Sequence, residues 1–190
     1  LLVANHISFL DIYVINAIAP TAFVSKNDVL GWPLIGWLCR RTETIFLERG
    51  SRLAAQRTRE VLTAYLHAGG LAAVFPEGTT TPGDRLLPFH GALLQSALDA
   101  GVPVTPVAVR YRTRHGQRTL VPAYVDDISL LDCLKAVVKA EGLVAEVRAL
   151  APLTPDDGDR RRLATLAHRH IARALDLPAH GEDGATPPAA

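Results

Sequence analysis

Methionine occurs nowhere in this sequence, not even at position 1, and the chain opens directly on an apolar run, Leu1 to Ala4. The expectation is that the native N-terminus is missing, and with it any signal or membrane anchor it carried. Cysteine is scarce as well. Cys39 and Cys133 sit in apolar surroundings at no metal-ligand spacing, which excludes a disulfide framework and implies buried thiols in a reducing compartment. The formal net charge is +1, so no whole-molecule field argues for nucleic acid. No apolar run reaches the ~18–20 residues that a bilayer span requires. The nearest, Val29 to Cys39, is short and is broken by Gly31, Pro33 and Gly36. Its Trp32 and Trp37, followed by Arg40 and Arg41, suit either a surface lying among lipid headgroups or an ordinary buried helix pair.

Missing motifs narrow the chemistry further. There is no Gly-x-Ser-x-Gly elbow, which argues against a serine hydrolase. Neither a phosphate-binding Gly-x4-Gly-Lys-Ser/Thr loop nor a dinucleotide fingerprint is present. His67 closes a helical pattern, where its charge suits the dipole, while His168 and His170 lie on a basic helical stretch and read as exposed. They form no zinc set, and no metal site is expected.

What the chain does have is apolar content, 48% of 190 residues, enough for one core. Short apolar runs alternate with helical patterns throughout. Strands are expected at 1–4, 21–25, 44–47, 70–75, 102–112, 119–125 and 143–150. Helices are expected at 8–19, 28–39, 51–68, 91–100, 129–140 and 156–175. The 51–68 helix opens on Ser51 and stops at Gly69-Gly70, as capping preferences dictate. Such alternation predicts a single α/β domain over residues 1–176. Its central sheet of about seven strands is mostly parallel, with helices on both faces and sites at the strands' carboxyl ends. Residues 177–190, rich in Pro, Gly and Ala, are expected to be a disordered tail. The charged stretch Asp156 to Arg162 reads mostly as a solvated face opening the last helix.

Four clusters stand out, the first three of them polar and following strands. The first, Asn5-His6-Ile7-Ser8-Phe9-Leu10-Asp11, places a histidine in a loop and an aspartate in the first helical turn, where a carboxylate can fix the imidazole tautomer. Ser8 with Asp11 is equally a capping box. The second, Ile45 to Gly50, ends in Glu48-Arg49; Arg49 could fork onto a phosphate or simply pair with Glu48. The third, Phe75-Pro76-Glu77-Gly78-Thr79-Thr80-Thr81-Pro82-Gly83, offers backbone donors and hydroxyls for an anion or polyol, or a plain chain reversal. The fourth, Val102 to Val107, carries Pro103 and Pro106, which places the strand at an edge or a mouth rather than mid-sheet. Beyond it Arg110, Arg112 and Arg114 alternate onto one face, to be solvated or to meet acidic headgroups.

In this order the clusters resemble the glycerophospholipid acyltransferase family, whose best-known members acylate 1-acylglycerol-3-phosphate (lysophosphatidic acid). The family's Asn-His-x-Ser-x-x-Asp motif stands as Asn5 to Asp11, and its Phe-Ile/Leu-Asp/Glu-Arg motif is similar to Phe46 to Arg49. Its Phe-Pro-Glu-Gly-Thr motif is complete as Phe75 to Thr79, and its proline-bearing block looks like Val104 to Val107. The resemblance covers roughly residues 1 to 150. It implies that His6 is a general base toward the acceptor hydroxyl, oriented by Asp11, and that the oxygen attacks an acyl thioester directly with no acyl-enzyme. It also implies acceptor-binding roles for Lys26, Arg49, Glu77, Gly78 and Thr79, and a site-shaping role for Pro106. No cofactor is implied beyond acyl-CoA or acyl-carrier protein as donor substrate. The partners would be the lysophospholipid, the thioester and a membrane surface, on the cytoplasmic face of a bacterial-type inner membrane. One position departs from the pattern. Many members carry Arg where this chain has Thr80, which raises lyso-ornithine lipid, an acceptor without phosphate, as an alternative. A non-catalytic membrane-binding module is the remaining alternative.

Overall fold

In the computed structural model the described residues are 1–26, 44–47, 52–125, 128–154 and 159–178, with the side chains of 25, 26, 44–47 and 52 set apart. Six strands form one sheet: β1 (Leu2–Ala4), β2 (Ala22–Lys26), β3 (Thr44–Leu47), β4 (Ala72–Val74), β5 (Thr105–Arg112) and β6 (Val144–Ala149). The helices are α1 (Leu10–Asn16), α2 (Arg52–His67), α3 (Gln95–Ala100), α4 (Leu130–Lys139) and α5 (Arg160–Leu175). The sheet order is β3-β2-β4-β1-β5-β6. The first five strands run parallel, and β6 pairs antiparallel to β5, so the sheet is mixed.

Alternation along each strand feeds two cores. Val3, Ala22, Val24, Ala72 and Val74 point to one face, where they meet Leu62 and Leu66 of α2, Ala97 of α3 and Leu163, Ala164 and Ala167 of α5. Ala4, Phe23, Ala73, Val107, Val109 and Tyr111 point to the other, against Ile15 of α1 and Ala123. With both faces covered, the inner strands need apolar residues at every position, which is why they read as uninterrupted apolar runs. Helix α2 ends where Gly69 takes φ +86° and Gly70 N–H donates to Tyr65 O. A side chain at Gly70 would strike the Tyr65 ring.

Several expectations need correction. The sheet has six described strands, not about seven. Residues 119–125 form no strand, because Pro122 cannot donate to a ladder. That segment turns at Ala123 N–H to Leu120 O, and its Tyr124 N–H then donates to Ile7 O. Helix α1 is also shorter than 8–19, beginning only at Leu10.

The proline-bearing β5 is an inner strand, lying between β1 and β6 rather than at an edge. Thr105 N–H donates to Leu1 O, so Pro106 turns its nitrogen the other way, toward β6. There Leu150 N–H donates to Pro106 O, one residue past the end of β6. The missing proline donor therefore falls where the ladder is already ending.

His168, expected on the surface, is buried with Leu163, Ala164, Ala167, Ile171 and Ala172, and meets the Phe89 ring edge-on at 5.0 Å. Positions 164, 167, 168 and 171 share one helical face, and this apolar stripe carries the histidine inward. His170 is half-buried. The expected 28–39 helix, Cys39 and residues 179–190 lie outside the described residues.

Candidate active site

Parallel pairing brings the first and third clusters together. Val3 of β1 stands opposite Val74 of β4, so the chain leaves both strands side by side at their carboxyl ends. The next residues out, Asn5-His6 and Phe75-Pro76-Glu77, meet there.

His6 is held at every point except its outer nitrogen. Its Nδ1 lies 2.9 Å from Asp11 Oδ2. Its ring stacks on Phe75 at 4.0 Å and 13°, and Phe75 in turn stacks on Phe23 at 5.9 Å. Its backbone N–H donates to Glu77 Oε1 at 2.9 Å, and its carbonyl accepts from Thr81 N–H at 2.8 Å. Asn5, fully buried, locks the preceding residue: its Nδ2 donates to Val109 O at 2.9 Å, and its Oδ1 accepts from Val109 N–H at 2.8 Å.

Asp11 is fully buried and fully engaged. Besides the imidazole, Oδ2 accepts from Ile7 N–H at 2.7 Å and Ser8 N–H at 2.9 Å. Oδ1 accepts from the Tyr111 hydroxyl at 2.7 Å. Two backbone amides can only donate, so Oδ2 is an acceptor and the shared proton is assigned to His6 Nδ1. That tautomer leaves Nε2 with a bare lone pair, on a side chain 20% exposed. The capping box is half realised: Asp11 reaches back to Ser8 N–H, while Ser8 Oγ takes Leu10 N–H at 3.3 Å.

Glu77 lies beneath the histidine rather than in the open. Its second oxygen accepts from Leu87 N–H at 2.8 Å, and its side chain is buried. Burial raises its carboxyl above the usual range, against the lowering effect of the Leu87 and His6 amides. Gly78 and Thr79 stand exposed on the turn that follows. Gly78 takes φ +73°, a conformation L side chains rarely adopt. Thr80 turns its hydroxyl back onto Tyr124 O. Pro106 is buried in the sheet opposite Val3, below the site. Lys26 closes β2 opposite Leu47 of β3, its side chain outside the described part, and Arg49 lies outside the described residues.

Sequence reasoning missed Tyr111, Asn5 as a clamp, and the stacking role of Phe75. A signal for Tyr111 existed: if Arg110 and Arg112 share one face of β5, Tyr111 must face the other.

Residues 1–110 match the family described as Acyltransferase. The chain belongs to the Acyltransferase family. Within it, this acyltransferase chain is 42% identical over 176 residues to a lyso-ornithine lipid O-acyltransferase of Pseudomonas aeruginosa, covering 91% of this chain and 66% of that protein. It is 38% identical over 147 residues to a 1-acyl-sn-glycerol-3-phosphate acyltransferase of Neisseria gonorrhoeae, covering 77% and 57% respectively. The chain thus spans less than two thirds of the length of these relatives. Its fold is similar to the crystal structure of a 1-acyl-sn-glycerophosphate acyltransferase from Thermotoga maritima. That match has a TM-score of 0.61 and 23% identity over 92% of this chain and 64% of the other.

Proposed function

We propose that this protein transfers a fatty acyl group from a thioester, on coenzyme A or acyl-carrier protein, to the free hydroxyl of a lysolipid. The observation that carries this reading is the His6 Nδ1 to Asp11 Oδ2 bond, which leaves Nε2 as the base. In the reaction, Nε2 takes the acceptor's hydroxyl proton as its oxygen attacks the thioester carbonyl. Asp11 stabilises the imidazolium that forms. The tetrahedral intermediate expels the thiolate, which takes the proton from Nε2 and leaves as free thiol. A positioned base of this kind contributes ~10²–10⁴-fold in rate. The Phe75 face beneath the ring also favours the cationic state in passing.

The exposed Gly78-Thr79 turn, with Lys26 and Arg49, is assigned to the acceptor's head. Pro106 acts only from below, by fixing β5 against β1. The acceptor we favour is 1-acylglycerol-3-phosphate. Lyso-ornithine lipid is the second reading, and Thr80 favours it: its hydroxyl is spent on Tyr124 O, and no cation stands at that position. Both acceptors are lipids, which supports work at a membrane surface, and a coenzyme A or carrier-protein donor favours its cytoplasmic side. Among the described residues no helix is long and apolar enough to cross a membrane.

The test is thiol release by the full-length protein supplied with acyl-CoA or acyl-carrier protein and an acceptor panel, the products identified by mass spectrometry. His6→Ala should abolish release and leave the circular dichroism unchanged. Normal turnover by that variant would sink the mechanism. Vesicle binding without transfer to any acceptor would point to a non-catalytic module instead.

A further inference from the structure

Tyr111 sits one hundred positions from Asp11 in sequence, yet its hydroxyl lies 2.7 Å from Asp11 Oδ1. On β5 it follows Val107 and Val109 onto the α1 face, and it is 2% exposed. Phenylalanine would fill the same space. A buried hydroxyl costs free energy unless it is paired, so its presence depends on the group it meets, which is the carboxylate holding His6. The load on Asp11 is also uneven. Oδ2 serves the imidazole and two backbone amides, whereas Tyr111 is the donor to Oδ1.

We propose that Tyr111 is a positioning residue for the transfer reaction: its hydroxyl fixes the plane of the Asp11 carboxylate and draws charge toward Oδ1, setting how strongly Asp11 holds the His6 imidazolium. This rests on the general-base reading above. Burial, and then the negative charge of Asp11, push the Tyr111 hydroxyl far above its ordinary range, so it stays a donor at any working pH. Among the described residues, the other titratable groups facing this cluster are Glu77, from the turn after β4, and Cys133, from α4.

Removing the hydroxyl has two consequences. The carboxylate gains freedom to rotate, which lowers kcat. It also concentrates its charge on Oδ2, which favours the protonated imidazole. Tyr111→Phe should therefore lower kcat about tenfold, as loss of a buried hydrogen bond to a charged group does, while the KM for both substrates stays the same. The acidic limb of the kcat/KM profile should move to higher pH. In the full-length 15N-histidine-labelled protein, the downfield Nδ1–H proton of His6, assigned by its loss in His6→Ala, should move further downfield. In an Asp11→Asn background, adding Tyr111→Phe should change nothing more.

An unchanged pH profile and an unchanged Nδ1–H signal overturn the proposal, whether or not the thermal midpoint falls. If no lysolipid is acylated at all, the base reading fails, and the Nδ1–H signal alone still decides whether Tyr111 is coupled to the pair.

Discussion

Glu77 joins two backbone segments, one oxygen on His6 N–H and the other on Leu87 N–H. It therefore acts on the histidine through the backbone, whereas Asp11 acts on the ring. Glu77→Gln would keep one acceptor and turn an amide NH2 toward a backbone donor, leaving that N–H buried and unpaired. The expected result is a fall in kcat of about tenfold, from a His6 held less firmly, with KM changed much less. Steady-state kinetics with the acceptor varied would check this. The sign of its titration follows from the raised carboxyl. A group raised by burial contributes stability below the ordinary carboxylate range and loses it as pH climbs through the raised value. Several of these residues were legible in the sequence and others were not. His6 and Asp11 stand five positions apart and could be read as a pair. The spacing says nothing of Asn5 reaching Val109 or of Tyr111 reaching Asp11, because both bonds join the segment after β1 to β5, with separations of 104 and 100 positions.

Among the elements, β5 and β6 show how an arginine stripe can be neutralised at home. Arg110 grips Glu146 with two bonds, at 2.7 and 2.8 Å, and Arg112 adds a third at 3.1 Å. Arg148 donates to the same carboxylate at 2.9 Å. These contacts, Arg110 first, hold the Glu146 carboxyl down at about 2. A carboxyl lowered in the folded state contributes stability above its unfolded value and loses it as pH falls through the folded one. Glu146→Gln should therefore be less stable than the parent at neutral pH. That gap should close as pH is taken from the ordinary carboxylate range down to about 2. Urea unfolding at several pH values would measure it.

The stripe was visible as alternation, but its partner was not, since β6 pairs with β5 across the intervening α4. The parallel strands were legible for a simpler reason: both faces are buried, so the apolar runs are unbroken. The 119–125 segment has the same apolar look, and there Pro122 decides against a strand. His168 was misread because its arginine neighbours dominate the local composition, although the spacing of Leu163, Ala164, Ala167 and Ile171 already marked a buried face.

At the scale of the whole molecule, Cys133 reports on integrity. It is 2% exposed, with Sγ 3.6 Å from Pro122 O, and burial pushes its thiol up. Labelling at Cys133, located by mass spectrometry, should be negligible in the native protein. It should rise in step with global unfolding by denaturant, because the thiolate is the reactive form. Labelling well below the unfolding midpoint would show that α4 opens by itself. The family match ends at residue 110, one position short of Tyr111. The overall α/β plan was legible from alternation alone. The convergence of the first and third clusters required the strand order, which places β4 and β1 side by side although they lie far apart in sequence.

The clamp of Asn5 on Val109 also bears on the timing of assembly. During synthesis His6 and Asp11 emerge well before β5, and although Ile7 and Ser8 hold Asp11 locally, the bonds from Val109 and Tyr111 must wait for that strand. The loop closed by that clamp is about as long as a small domain, and closing it carries the entropy cost of any long-range contact. A nascent chain halted before residue 105 would display every letter of the first three motifs and still lack the β5 partners of Asn5 and Asp11. The supports of the His6–Asp11 pair are therefore complete only once β5 lies beside β1.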